Sequence, residues 1–170
     1  AADNRIAAVA AAEKGRQLGF NSVILSTMLT GEAAVVGAML PAFLSEIDRP
    51  GSWIHRPALM IFGGETTVHI HGNGLGGRNQ ELALAAVRPM SDMKDSALVT
   101  LATDGEDGPT DAAGAFVSDE TLQKGLAHGL KPEDFLNRND AYHYFEALND
   151  LLKTGPSGTN VNDLTFLFAF

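Results

Sequence analysis

Gly72-Asn73-Gly74-Leu75-Gly76-Gly77-Arg78-Asn79-Gln80-Glu81 leads directly into the apolar segment Leu82-Ala83-Leu84-Ala85-Ala86-Val87. The second part reads as a helix over residues 78–87, opened by a loop of four glycines. Glycine lets the backbone come close to a ligand, and the first N–H groups of a helix favour an anion. Arg78 adds a planar fork of donors that suits phosphate or carboxylate. The same residues also allow a plainer reading, in which the glycines shape a tight turn and Arg78 pairs with Glu81 or Glu65 at the surface.

On the N-terminal side of the loop, residues 58–62 and 66–71 read as two strands about Gly63-Gly64, in the manner of a hairpin. In the second of them Val68 and Ile70 face one way and Thr67, His69 and His71 the other. Further back, residues 4–18 read as a helix that stops at Gly19, and residues 22–27 as a short strand. Residues 32–47 carry Val36, Met39, Leu40, Phe43, Leu44 and Ile47 at helical spacing, with Pro41 expected to kink the helix. Residues 49–57 read as a linker. On the C-terminal side, residues 97–102 and 164–170 read as apolar strands, and residues 119–127 and 140–152 as amphipathic helices, the last burying Tyr144 or Phe145. Helices interleaved with short strands indicate an α/β layered domain, a mixed β-sheet flanked by helices.

Composition bounds the partners. With 170 residues, 45% of them hydrophobic, the chain has the material for one core. Its net charge of −9 repels nucleic acid and anionic membranes, although a local cluster of N–H groups and one arginine can still hold a small anion. There is no cysteine, so disulfides and thiolate metal sites are excluded and the redox compartment is not indicated. No apolar run approaches the roughly 20 residues of a membrane helix, which leaves the cytoplasm as the default location. A start at Ala-Ala-Asp-Asn without methionine is compatible with a processed protein or a fragment.

Two more loops are rich in polar residues and glycine. Residues 103–111, Thr-Asp-Gly-Glu-Asp-Gly-Pro-Thr-Asp, follow the apolar strand 97–102, and the ends of strands are where open α/β sheets place ligands. Their carboxylates, Asp104, Glu106, Asp107 and Asp111, could hold Mg²⁺ through water or accept a hydroxyl proton, or form a solvated acidic turn. A calcium loop fails on spacing, because its twelfth position is Ala115. Residues 154–163 precede the closing strand with hydroxyls and amides that could cradle phosphate or satisfy their own backbone. No Walker A sequence occurs. Gly72, Gly74 and Gly77 satisfy G-x-G-x-x-G, but the alternating stretch before them is unlike a buried Rossmann strand, and no acidic residue closes a second strand at the right distance.

Taken together, GGETTV (63–68), GNGLGGRNQELALAA (72–86), ATDGEDGPTDAAGA (102–115) and LLKTGPSGTNVNDL (151–164) resemble the MOFRL domain. This is the C-terminal module of the glycerate kinases once labelled putative hydroxypyruvate reductases. The resemblance runs from Ala58 to the C-terminus and divides the chain into a lead-in, residues 1–57, and a MOFRL-type α/β catalytic domain, residues 58–170. Ser157 stands where the family commonly has threonine, and Glu106 where an apolar residue or threonine is common.

The resemblance implies a two-domain enzyme with its active site in the cleft between domains, of which this chain is the C-terminal part. It also implies transfer of the γ-phosphoryl group of ATP to the 2-hydroxyl of D-glycerate, with Mg²⁺ bridging the phosphates. Carried over residue by residue, it marks Arg78 as an essential cation and Asp104, Asp107 and Asp111 as catalytic candidates, with Asp104 and Asp107 also as metal ligands. Glu65, Gly74, Gly76, Gly77, Asn79, Glu81, Thr110, Asn160 and Asn162 are candidates for substrate or nucleotide binding, with Asp163 as a support. The missing N-terminal domain is the expected partner, and a homo-oligomer is left open. Two alternatives stand beside this reading, an NAD(P)H-dependent hydroxypyruvate reductase and a non-catalytic binding module. A shared site requires the three loops to converge on one sheet edge, which calls for the closing strand to run antiparallel to strand 97–102.

Overall fold

The computed structural model describes residues 3–170; Ala1 and Ala2, the start of the lead-in segment, lie outside the described residues. The elements run α1 (Asn4–Gln17), β1 (Asn21–Leu29), α2 (Ala33–Met39), a 3₁₀ helix (Leu40–Glu46), β2 (Ala58–Gly64), α3 (Arg78–Met90), β3 (Ser96–Ala102), β4 (Gly114–Ser118), α4 (Thr121–Ala127), α5 (Pro132–Leu136), α6 (Ala141–Leu148), β5 (Leu151–Leu152) and β6 (Asp163–Ala169). The strands form one mixed sheet in the order β1-β2-β6-β3-β4-β5. Only the β1–β2 pair is parallel; the other pairs are antiparallel.

Local chemistry explains most of these boundaries. Asp3 caps α1 through its side chain, which accepts from the Ile6 N–H at 3.0 Å. Gly19, at φ 93°, takes the left-handed turn that ends the helix. Pro41 cannot continue α2, and the chain tightens there into the 3₁₀ segment. Asn149, at φ 58°, ends α6 before the stretch expected to be helical through residue 152, and the chain re-enters the sheet as β5.

Core packing gives the sheet a covered face on each side. On one side Met60, Phe62, Leu98, Val117 and Leu167 pack against α3 and α6, where Tyr144 and Phe145 are both fully buried. On the other, Leu59, Ile61 and Leu164 meet Ala8 and Ala12 of α1. The central helix α3 buries ten of its thirteen residues. It can do so because Gly37 of α2 lies against the Leu82 carbonyl, where any Cβ would collide with backbone. The lead-in segment contributes α1, β1 and α2 to this same body.

The expected hairpin at Gly63-Gly64 does not form. Both edges of β2 are already occupied, by β1 and by β6, so the following segment has no edge to return to. Gly64, at φ 145°, turns the chain past the end of β1 instead. There Glu65 N–H donates to the Leu29 carbonyl at 2.9 Å, Thr67 N–H to the Gly31 carbonyl at 2.9 Å, and Thr67 makes one isolated bridge to Glu32. Val68 is half-buried, but Ile70 is 80% exposed, so the alternation of residues 66–71 does not correspond to a sheet face.

Candidate functional site

One edge of the sheet collects the three loops. Asp163, the first residue of β6, stands in register with Gly64 at the end of β2 and with Ala102 at the end of β3. The antiparallel relation of β6 to β3 therefore brings the entry of one strand beside the exit of the other, as convergence requires. The loops are tied together there. Thr103 donates through N–H and Oγ1 to the Asn162 carbonyl at 3.2 and 2.7 Å, and Ser157 Oγ donates to the Thr103 carbonyl at 2.5 Å. Asn160 Nδ2 reaches Asp104 Oδ2 at 3.0 Å. Asn4, at the start of α1, donates to the Val161 and Asp163 carbonyls at 2.8 and 2.9 Å.

Arg78, the first residue of α3, reaches across to this corner. Its Nε and Nη2 make a two-point contact with the Asp163 carboxylate at 2.6 and 2.9 Å, while Nη1 faces Glu65 Oε1 at 3.3 Å. The bond from Asp163 holds the guanidinium charged, with its pKa raised further above its ordinary value. Arg78 therefore does pair with Glu65, but its firmer partner is Asp163, whose side chain is only 8% exposed.

A cleft of about 540 Å³ opens beside this corner, large enough for a small ligand. Its wall includes Gly74, Gly76, Gly77, Arg78, Glu65 and Glu81, and among the described residues that line it Arg78 is the only cationic side chain. The glycine loop is braced by a turn that sequence reading passed over. Asn139 Oδ1 accepts from the His71 and Gly72 N–H groups at 2.7 and 3.0 Å, and its Nδ2 donates to the His69 carbonyl and to Glu81 Oε2 at 3.1 and 2.9 Å. Asp140 Oδ1 accepts from Leu75 N–H at 3.0 Å. Burial raises the Asp140 carboxyl, but the bonds from Leu75, His143 and Arg138 outweigh it and leave the group below its ordinary range. In the sequence, the pair Asn139-Asp140 directly before an amphipathic run is the signal for this turn.

The helix end itself is already occupied. Asp107 is buried, and its two oxygens accept from Asn79 N–H at 3.1 Å and Gln80 N–H at 2.9 Å. The anion at the start of α3 is thus the protein's own carboxylate, and the expectation of free N–H groups for a ligand does not hold there. Gly77 has to be glycine because a Cβ would overlap Asp107. Burial raises the Asp107 pKa despite those amide bonds. Asn79 and Thr110 serve the same joint: Thr100 Oγ1 donates to the Asn79 carbonyl at 2.9 Å, and Gln80 Nε2 to Thr110 Oγ1 at 2.8 Å.

The remaining carboxylates go elsewhere. Asp111 accepts from Tyr142 OH at 2.8 Å and Lys153 Nζ at 3.0 Å, outside the cleft wall, and the Lys153 bond lowers its pKa. Asp104 is half-exposed and accepts from Glu106 N–H at 3.2 Å as well as from Asn160. Among the described residues no group of three or more His, Cys, Asp or Glu is arranged to hold a metal. Asp107, sealed between amides, does not fit a magnesium ligand. Asp104 alone, bonded to Asn160 and Glu106 N–H, makes no magnesium cage.

An arginine clamped at a sheet edge, a braced glycine loop and an adjoining polar loop define a mixed α/β domain whose polar loops and cleft gather at one end of its sheet. The chain belongs to the MOFRL family, whose model matches residues 58–163. It is 45% identical over 152 residues to the D-glycerate 2-kinase of Thermotoga maritima, covering 88% of this chain and 36% of that protein. To the glycerate 2-kinase of Pyrococcus horikoshii it is 42% identical over 164 residues, covering 96% and 37% respectively. The crystal structure of a glycerate kinase from Thermotoga maritima superimposes with a TM-score of 0.95 at 40% identity, covering 99% of this chain and 41% of that one. The chain thus spans less than half the length of these relatives.

Proposed function

We propose that this chain is the C-terminal part of a glycerate 2-kinase, which transfers the γ-phosphoryl group of ATP to the 2-hydroxyl of D-glycerate and yields 2-phosphoglycerate. The observation that carries the reading is the state of Arg78. Asp163 fixes the guanidinium with two bonds, while Nη1 is held only by the half-exposed Glu65, and both Arg78 and Glu65 line the cleft. A substrate carboxylate or a phosphate can take the place of Glu65 at Nη1 without disturbing the clamp. Phosphoryl transfer depends mainly on positioning and on neutralising charge, which is what such an arginine supplies. Gly74, Gly76 and Gly77 let the ligand approach the backbone, and Asp104, Asn160 and Asn162 shape the adjoining edge. Asp107, Asn79 and Thr110 set the position of α3.

Similarity to glycerate kinases over almost the whole chain supports this reading, as does the filled helix end, which leaves no amide cradle for a dinucleotide pyrophosphate. Magnesium would enter bound to ATP. A cytoplasmic location and a preceding domain that completes the cleft belong to the same proposal; no described helix is long and apolar enough to cross a membrane. The test is a coupled ADP assay on the full-length protein with D-glycerate, run beside an NADH-oxidation assay with hydroxypyruvate. ADP formation dependent on glycerate is expected. Hydroxypyruvate-dependent NADH oxidation without ADP formation would overturn the proposal. The 170-residue chain alone is expected to fold and to give no turnover.

A further inference from the structure

Glu81, one of the candidates for substrate or nucleotide binding, is a buried carboxylate in the wall of the cleft. It is 6% exposed, yet it lines the same cleft as Arg78. It lies three residues after Arg78 on α3, so the two side chains share one helix face with their Cβ atoms about 5–6 Å apart. One of its oxygens, Oε2, is held at 2.9 Å by Asn139, a neutral donor. Among the described residues the other oxygen has no hydrogen-bond partner.

The other acids near the cleft are spent. Glu65 is drawn to Arg78, Asp107 is capped by the α3 amides, and Asp104 and Asp111 are tied to Asn160 and Lys153. A 2-hydroxy acid carries its carboxylate and its hydroxyl on adjacent carbons. A cation and a carboxylate one helical turn apart match that pair of groups.

We propose that Glu81 is the catalytic base of the phosphoryl transfer, accepting the proton of the substrate's 2-hydroxyl while Arg78 holds the neighbouring carboxylate. The inference rests on the kinase reading above. In the step, the hydroxyl O–H bond breaks and its proton passes to the Glu81 carboxylate. The freed oxygen bonds to the γ-phosphorus, the bond from that phosphorus to the β–γ bridging oxygen breaks, and ADP leaves with that electron pair. Asn139 keeps the carboxylate turned into the cleft. Burial raises the Glu81 pKa; the Asn139 bond and His71 oppose this, while Glu32 and Asp107 add to it. A base so placed gains its charge at a higher pH than an ordinary glutamate, and activity should show an acidic limb displaced upward.

The experiment compares wild type, Glu81→Gln and Glu81→Asp in the full-length protein. Glu81→Gln is expected to lose about 10²- to 10⁴-fold in kcat with KM for D-glycerate and ATP nearly unchanged, and to lose the acidic limb of kcat/KM. Glu81→Asp should recover part of the rate and restore the limb. Wild type active on glycerate, with a folded Glu81→Gln variant that keeps its rate and its limb, overturns the role of Glu81 and leaves the kinase reading standing. A wild type that forms no ADP with glycerate overturns both. If Glu81→Gln fails to melt cooperatively, Glu81→Asp carries the test: a kcat at least tenfold lower with KM held supports the base, and an unchanged kcat overturns it.

Discussion

Asp107 and Asp111 lie four residues apart in one acidic loop and meet opposite fates. Asp107 turns inward and is 1% exposed; its carboxylate caps α3, and burial raises its pKa. Asp111 turns outward with its side chain 65% exposed, and bonds from Lys153 and Tyr142 lower its pKa. A run of carboxylates in sequence is therefore not one site. The inner residue fixes where α3 begins, hence where Arg78 and Glu81 stand, while the outer one ties the loop to α6 and to Lys153, just after β5.

The contrast is sharpest if Asp107 is removed. Asp107→Ala strips a helix cap and leaves two buried N–H groups without acceptors, a loss of about 3 kcal/mol. In a domain of this size that lowers the melting temperature by roughly 10 °C. A thermal melt of this chain checks it, and a shift near zero would mean that the inner position is as dispensable as the outer one.

Arg78→Lys comes next. The two-point contact with a nearly buried Asp163 ties this residue to stability as well as to the site. Lysine keeps the charge and loses the fork, so a destabilisation of about 1.5 kcal/mol is expected together with loss of most of the activity. Urea unfolding of this chain and turnover of the full-length protein read the two effects separately.

The pH response should carry opposite signs at the two aspartates. Because the folded pKa of Asp107 is raised, the native state binds more protons than the unfolded one from about pH 4 up to that raised value, and stability falls as pH rises. Glu81 acts in the same direction. Asp107→Asn removes the contribution of one group, so the stability gap between this variant and wild type should narrow as pH rises above about 4. Asp111, with its folded pKa lowered, contributes stability that is present above its unfolded value and lost as pH falls through the folded one. Asp111→Asn is therefore expected to give the smallest effect, barely resolved at neutral pH and absent in acid. Urea melts across that range test both signs, and parallel curves would erase the distinction.

The features legible in the sequence were those decided by neighbours along the chain. Gly19 ends α1, and Pro41 disturbs the helix expected over residues 32–47, because a left-handed turn and a missing N–H act within a single helical turn; the change to a 3₁₀ helix after Met39 was not legible. The apolar runs of β3 and β6 and the four glycine-rich motifs were read for the same reason, and they were enough to mark the family and the edge of the sheet that carries the loops. Short elements escaped, β4 with five residues and α5 with five, because their apolar signal is no stronger than that of a loop.

What only the tertiary structure decided is which residue meets which across long separations. Residues 66–71 alternate like a strand, yet β1 and β6 had already filled both edges of β2. Asp104, Asp107 and Asp111 are chemically alike, and nothing near them in sequence says which will turn inward. That choice is made by Gly77, whose missing side chain leaves room for one carboxylate beside amides some 28 residues away. Arg78 finds Asp163 at a separation of 85 residues, and Asn139 finds Glu81 at 58. A hydrogen bond is set by distance in space, and sequence separation carries no information about it until the sheet has closed.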